Sequence, residues 1–445
     1  MKNYFLQEII INDVLDIQKF SIPLSTDSRQ HLMITGKNGS GKTTLLNEIN
    51  TLLNKFIQNG FSRLSQIKQD VINYEQAINS HLPIIASLEN EIEKLKTSSQ
   101  NMTDEQIKSA IVSHQSNIAN HKNNIKSWEQ NRLNLKNQLD SFSKINLVFN
   151  NYEEVYSDMV SGDFILAYFK AKRHQSAVTP TTITKQEFIK VNSTEESLSK
   201  TFVQFMVNQY TQKVYAKDEG NIEEAQKIEE WFIRFENSLK ELFDKPELKL
   251  VYDRKKFNFH LVYDKRQFGF DGFSDGYASV LSIVTELILR MEAHEVSVYD
   301  MQGLVLIDEL ETHLHVDLQK KIFPFLTSFF PNIQFIVTTH SPFVLSSISN
   351  AVICDLENKM IVKDLTAYSY DALIESYFNS DKYSQEIKVK IARFDALLAQ
   401  KNMVDADKEE FYDLKNYLKS LPTFMADELA VKIKDQLLLA RKVEL

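Results

Sequence analysis

The sequence holds a single cysteine, Cys354, among 445 residues. A lone thiol closes no internal disulfide and builds no thiolate zinc cage, which excludes a secreted disulfide scaffold and leads us to expect a reducing, cytoplasmic setting. Long apolar runs are missing as well: none approaches the ~20 residues of a membrane span. The opening stretch MKNYFLQEIIINDVLD has acidic residues and no small-residue cleavage site, so it reads as a strand rather than a signal peptide. Positive charge is not in excess. Lys and Arg total 51 against 60 Asp and Glu, a net charge of -9, so no chain-wide basic footprint points to nucleic acid, while a local basic groove stays compatible. With 43% hydrophobic and 25% charged residues the composition is that of an ordinary globular chain, long enough for two or three domains.

Glycine is scarce too. Of only ten, Gly36, Gly39 and Gly41 fall in one cluster and Gly269, Gly272 and Gly276 in another. A chain so sparing of glycine places it where backbone must pass close to something, which makes both clusters candidate ligand sites.

Apolar runs from Phe5 to Ile11, Phe20 to Leu24 and Leu32 to Ile34 read as strands, and the last feeds Gly36. TTLLNEINTLLNKF then has helical spacing. Next, Ile67, Val71, Tyr74, Ile78, His81, Ile85, Leu88, Ile92 and Leu95 step by four and three. After the polar break TSSQNMTD, the steps resume at Ile107, Ile111, His114, Ile118, His121, Ile125 and Trp128. Two heptad seams around a turn predict an antiparallel coiled-coil hairpin, whose arms would project about 45 to 60 Å, with a helix pair folded onto the core as the plainer alternative. Seam positions tolerate occasional polar residues, so His81, His114 and His121 are not read as metal ligands. Strand-like INLVF and FILAYF follow, then helices from about Glu195 to Phe243, a hairpin in LKLVYD and FNFHLVYD, and, after Gly303, a strand, a helix and two further strands. The residues after Ala367, with Ala372, Leu373, Ile391, Leu397, Leu414, Leu418 and Leu437 to Leu439 as apolar markers, read as helical.

Gly36-Lys37-Asn38-Gly39-Ser40-Gly41-Lys42-Thr43 matches the phosphate-binding pattern G-x-x-x-x-G-K-[ST] without a mismatch. Its glycines let backbone N–H groups converge on phosphates, and the helix start, including Thr44, adds its dipole. Lys42 reaches the β and γ phosphates, and the Thr43 hydroxyl coordinates magnesium. Gly303 to Ile307 is an apolar strand that ends in Asp308 and Glu309. Asp308 is placed to hold magnesium through water and Glu309 to act as general base. Phe335 to Thr339 is a second such strand, ending in His340, which can contact the γ phosphate and hold the water in line. In FGFDGFSDGYAS a glycine turn again opens an apolar helix, which gives Ser274, Asp275 and Gly276 an anion-facing geometry. Two phosphate-facing helix starts on one chain are most simply explained by a dimer in which each closes over the nucleotide of the other. The expected cofactors are ATP and Mg2+.

These four elements, in this order, resemble the ABC-type ATPase head shared by transporters, chromosome-structure (SMC) proteins and double-strand-break repair ATPases. Ser274 stands 231 positions after Thr43 with a helical hairpin between them, a spacing unlike that of transporters, so the SMC-like branch is favoured. IDELETHLHVDLQKKIFPFL, FPNIQFIVTTHSPFVLSS and the signature FSDGYAS in place of LSGGQ are similar to the ATPases of the overcoming-lysogenization-defect class, and more narrowly to the ATPase subunit of Septu and Septu-like retron antiphage systems. The resemblance covers roughly residues 1 to 48 and 145 to 365. It implies that Phe273 to Tyr277 form the signature and that Leu314 and His315 take the place of the loop that communicates between subunits. It puts a phosphate-sensing glutamine somewhere in Tyr168 to Gln175. His313 and His315 are read as dimer-contact residues, not metal ligands. Asp275 departs from the glycine of the common signature.

The fold class so implied is α/β: an ABC-type P-loop ATPase head with an inserted antiparallel coiled-coil hairpin and a helical C-terminal region. Residues 1–48 and 145–365 would form the head, 49–144 the hairpin and 366–445 the helical region. Asp405 and Asp407 form a D-x-D, but within polar KNMVDADKEE, so it is read as solvated helix or loop and no nuclease activity is expected in this chain. A homodimer or higher homo-oligomer is expected, the resemblance implies a separate HNH-type nuclease, nucleic acid contact through the complex stays compatible, and the lack of a long apolar run leads us to expect no membrane partner. A repair-type ATPase that clamps or tethers DNA is the alternative.

Overall fold

The computed structural model describes residues 3–58, 60–97, 102–142, 144–173, 178, 180, 182, 188–191, 193–195, 197–270, 272–294, 301–368, 373, 385–400 and 404–420. Gln175, Ala372 and the leucines at 437–439 lie outside the described residues. The chain divides into two compact units, Met1–Ala367 and Tyr368–Leu445.

Among the described residues the first unit is built on three sheets. Strands β1 (Leu6–Val14), β2 (Ile17–Pro23) and β4 (Ile145–Phe149) form an antiparallel sheet in the order β2-β1-β4. The central sheet has six strands in the order β12-β11-β3-β10-β9-β5: β3 (His31–Thr35), β5 (Ile165–Phe169), β9 (Gly303–Ile307), β10 (Ile333–Thr338), β11 (Ala351–Asp355) and β12 (Met360–Lys363). All its pairings are parallel except that of β11 with β12. Every residue of β3, β5, β9, β10 and β11 is buried. Near-continuous apolar runs are what a parallel sheet covered on both faces demands. A third, antiparallel sheet holds β6 (Lys249–Asp253), β7 (Asn258–Tyr263) and β8 (Arg266–Gly269), one strand more than the expected hairpin.

The helices of this unit are α1 (Lys42–Ile57), α2 (Gly60–Thr97), α3 (Asp104–Phe142), α4 (Tyr152–Ser161), α5 (Phe202–Asp218), α6 (Ile222–Phe243), α7 (Asp275–Glu292), α8 (Val316–Phe329) and the short α9 (Pro342–Leu345). At 38 residues, α2 is about 57 Å long. It pairs antiparallel with α3: Ile85, Ile92 and Ile118 share a small apolar cluster. Lys122 meets Glu89 at 3.0 Å and Arg132 meets Glu75 at 3.4 Å. The His81 and His121 Nδ1 atoms lie 2.8 Å apart. Among the described residues no helix is long and apolar enough to cross a membrane.

In the second unit, α10 (Gln385–Leu398) and α11 (Asp405–Ser420) pack through Phe394 and Phe411, stacked at 5.1 Å. The D-x-D sits in the first turn of α11, where Asp405 pairs with Lys408 at 3.0 Å and Asp407 with Arg393 at 3.3 Å.

The central sheet positions the candidate site. The carboxyl ends of β3, β9, β10 and β5 lead into Gly36, Asp308, Thr339 and Lys170, all on one edge. That edge is where open parallel sheets receive ligands, because the loops leaving it diverge around a crevice.

Candidate functional site

β3 runs directly into the first glycine cluster. Gly36, Gly39 and Gly41 have φ of +135°, +87° and +94°, in the region that side chains rarely enter. Gly41 is the N-cap of α1, so the loop delivers the helix start with its unpaired N–H groups and partial positive charge. Lys42 is 6% exposed, and its Nζ donates to the carbonyl oxygens of Gly36 at 2.8 Å and Lys37 at 3.0 Å. Burial lowers its pKa, opposed by the carboxylates of Glu309, Asp308, Glu311 and Asp355. Lys37 points elsewhere: its ammonium pairs with Glu357 at 2.7 Å and its backbone N–H donates to the same carboxylate at 3.2 Å. Asn38, Gly39 and Thr43 are exposed, and Ser40 and Thr44 are half-buried.

Thr43 and Asp308, 265 positions apart, meet here. Thr43 Oγ1 donates to the two carboxylate oxygens of Asp308 at 3.1 and 3.0 Å, and Thr338 Oγ1 donates to Oδ1 at 2.7 Å. A hydroxyl and a carboxylate are hard oxygen donors, the set that suits Mg2+. Next along the chain, Glu309 has φ of +45°, unusual and costly for a non-glycine residue. Its N–H donates to Thr338 Oγ1 at 2.7 Å, and its Oε2 accepts from Thr312 Oγ1 at 3.2 Å. His340 follows β10, and its backbone N–H donates to Glu311 Oε1. Burial, and then the charge of Lys42, lower its pKa, so the ring is neutral at pH 7. Among the described residues the buried His340 Nε2, Glu311 Oε2 and Ser40 Oγ atoms have no hydrogen-bond partner. Orphaned polar atoms are rare in folded proteins, and three of them on the loops of one edge fit a site that receives a polar ligand.

The second glycine cluster opens α7. Ser274 caps α7 in an extended conformation with no side-chain cap bond; both it and Asp275 are exposed. Among the described residues no hydrogen bond or ion pair joins Ser274, Asp275 or Gly276 to the Gly36–Thr44 loop. Phe273 and Tyr277 instead pack on Phe243 at the end of α6, at 5.2 and 4.2 Å. Gly276 is there for closeness: a Cβ would lie 2.8 Å from the His313 carbonyl oxygen. Gly276→Ala is therefore expected to cost about 1–3 kcal/mol by overpacking, read as a lower urea midpoint with an unchanged slope. His315 caps α8, its Nδ1 accepting from the Asp317 N–H.

Sequence reasoning missed Thr338, Glu311 and Arg173. The first two flank residues that it had singled out. Arg173 lies within the stretch searched for a glutamine; its one signal is a basic residue just past an apolar strand. The structure buries it and aims the guanidinium at the backbone around Asp308.

Across 86% of its length the chain is 22% identical to "Retron Vc95 probable ATPase" of Vibrio cholerae serotype O1 biovar El Tor, covering 82% of that protein. It is 30% identical over 157 residues, 33% of this chain and 22% of the relative, to "Septu protein PtuA" of Bacillus mycoides (strain KBAB4). A solved Smc head domain with a coiled coil and joint, derived from Pyrococcus yayanosii, aligns at 10% identity and a TM-score of 0.33, over 84% of this chain and 100% of that one. The family described as "AAA domain, putative AbiEii toxin, Type IV TA system" matches residues 68–346, a stretch that begins after the phosphate loop and takes in Ser274, Asp308, Glu309 and His340. That match spans more than half of the chain, and the protein belongs to this AAA-domain family.

Proposed function

We propose that this chain is an ATP-binding and hydrolysing switch subunit of a bacterial antiphage complex, dimerising head to head around ATP and controlling a separate nuclease of the HNH type. The observation that carries the nucleotide reading is the bonding of Thr43 and Thr338 to Asp308 beside buried Lys42. The antiphage setting is carried over from the relatives named retron ATPase and Septu PtuA.

In this reading the loop amides and Lys42 hold the β and γ phosphates. Thr43 and Asp308 hold Mg2+, which supplies charge neutralisation at the transferring phosphoryl group. Glu309 takes the proton of the attacking water, and its left-handed turn, bonded to Thr338, sets where the carboxylate sits. Neutral His340, with Nε2 free, contacts the γ phosphate and holds the water in line. Ser274, Asp275 and Gly276 of a second copy close the site, in keeping with the exposure of Ser274 and Asp275. The Leu314 and His315 loop, packed on Gly276, lies at that junction. α2 and α3 serve as an antiparallel coiled-coil arm which, with the C-terminal helices, passes the closed or open state to the effector.

The test is co-purification of the chain with the products of its genomic neighbours, with and without MgATP, alongside an ATPase assay. MgATP turnover and a stoichiometric nuclease, held or released according to nucleotide, are the expected results. Recovery of the chain alone, with tight, steeply salt-dependent duplex binding, would replace this reading with a DNA clamp.

A further inference from the structure

Arg173 follows β5 and is 7% exposed, yet its guanidinium is bonded on every side. Nη1 donates to the carbonyl oxygens of Asp308 at 2.7 Å and Lys170 at 3.2 Å, and Nη2 donates to those of Glu309 at 3.0 Å and Leu310 at 3.4 Å. Nε donates to Ser279 Oγ at 3.0 Å. One side chain thus holds three consecutive carbonyls of the turn that carries Glu309 and, on its other edge, the first turns of α7. Among the described residues no carboxylate is bonded to it directly. Burial lowers its pKa to about 10, against the pull of Glu311, Asp308 and Glu309, so it is charged at pH 7.

The turn needs such a holder. Glu309 at φ +45° persists only where its surroundings over-determine it. Thr338 fixes its N–H side and the Leu310 N–H, and Arg173 fixes the carbonyl side. Further along, α7 is anchored again: Arg290 pairs with Glu286 at 2.9 Å and donates to the Leu166 carbonyl of β5 at 2.9 Å. Its N-terminal end, beginning at Ser274, is joined to the Glu309 turn through Ser279 and Arg173, and through Gly276 against His313.

We propose that Arg173 is a positioning residue that ties the placement of the Glu309 carboxylate to the position of the α7 N-terminus. A shift of α7 would act on the Glu309 turn through one rigid, five-donor group. This inference rests on the MgATP reading above and names the residue by which the state of the Ser274 segment reaches the hydrolytic carboxylate.

The experiment measures MgATP dissociation constants and single-turnover hydrolysis for the full chain and for Arg173→Lys, Ser279→Ala, Arg173→Lys/Ser279→Ala and Arg173→Lys/Glu309→Gln. Wild type and Lys42→Ala run in parallel. Removing Arg173 outright would strand buried carbonyls, so lysine keeps the charge and loses the fork, while Ser279→Ala is the gentler variant. For Arg173→Lys the hydrolysis rate is expected to fall about tenfold or more, with the dissociation constant changed by less than about threefold, as for a misplaced reactive group. Ser279→Ala should lower the rate in the same way, the double variant should be no slower than Arg173→Lys alone, and Arg173→Lys should add nothing to Glu309→Gln. Losses that multiply in either double variant, or a weakened dissociation constant with an unchanged rate, would overturn the inference and leave the nucleotide reading standing. If wild type binds MgATP no better than Lys42→Ala, the nucleotide reading fails and the inference fails with it.

Discussion

Lys42→Ala should raise the MgATP dissociation constant by about 100-fold or more, as expected from deleting a charge-assisted contact in a buried site. Among the described residues no carboxylate is bonded to the native ammonium. It donates to two carbonyls of its own loop and stands among the carboxylates of Glu309, Asp308 and Glu311, which hold it charged against burial. A phosphate arriving at the loop would therefore meet a charge already desolvated and already in place. Alanine leaves the two carbonyls to water, an effect on folding much smaller than the effect on binding. Fluorescent-nucleotide titration against urea unfolding separates the two, and an unchanged dissociation constant would remove the phosphate loop from the mechanism.

Glu309→Gln should keep MgATP affinity and lower the hydrolysis rate by about 10²- to 10⁴-fold, the usual range for loss of a general base. Glutamine retains the size of the side chain and can still accept from Thr312, and the turn is held through the backbone by Thr338 and Arg173, so the geometry should survive. What is lost is the proton acceptor. A variant as fast as wild type would show that the left-handed turn at Glu309 serves packing rather than chemistry.

Periodicity and motif spacing carried much of the fold. The buried strands around Leu32 to Ile34, Gly303 to Ile307 and Phe335 to Thr338 are unbroken apolar runs, and such runs need a covered parallel sheet wherever they occur. The glycines before Lys42 could be read for the same reason: positive φ is a property of the local backbone, written in residue type. β8 was missed because Arg266 to Gly269 is too short and polar to announce itself, and pairs only because β7 offers an edge.

The contacts that join distant segments could not be read in this way. Thr338 is one of several threonines until β10 and β9 pair in register and bring it to Asp308; Glu311 matters because β10 ends beside it. Arg173 looks like any surface arginine until the chain folds and buries it against the Asp308 to Leu310 carbonyls. Local rules reach as far as a helical turn or a strand pleat, and they sufficed for the glycine loop, the buried strands and the long helices. Which hydroxyl holds Asp308 and which cation clasps the Glu309 turn depend on strand order and close packing. Those are set by the burial of the whole chain at once, and no short window of residues contains them.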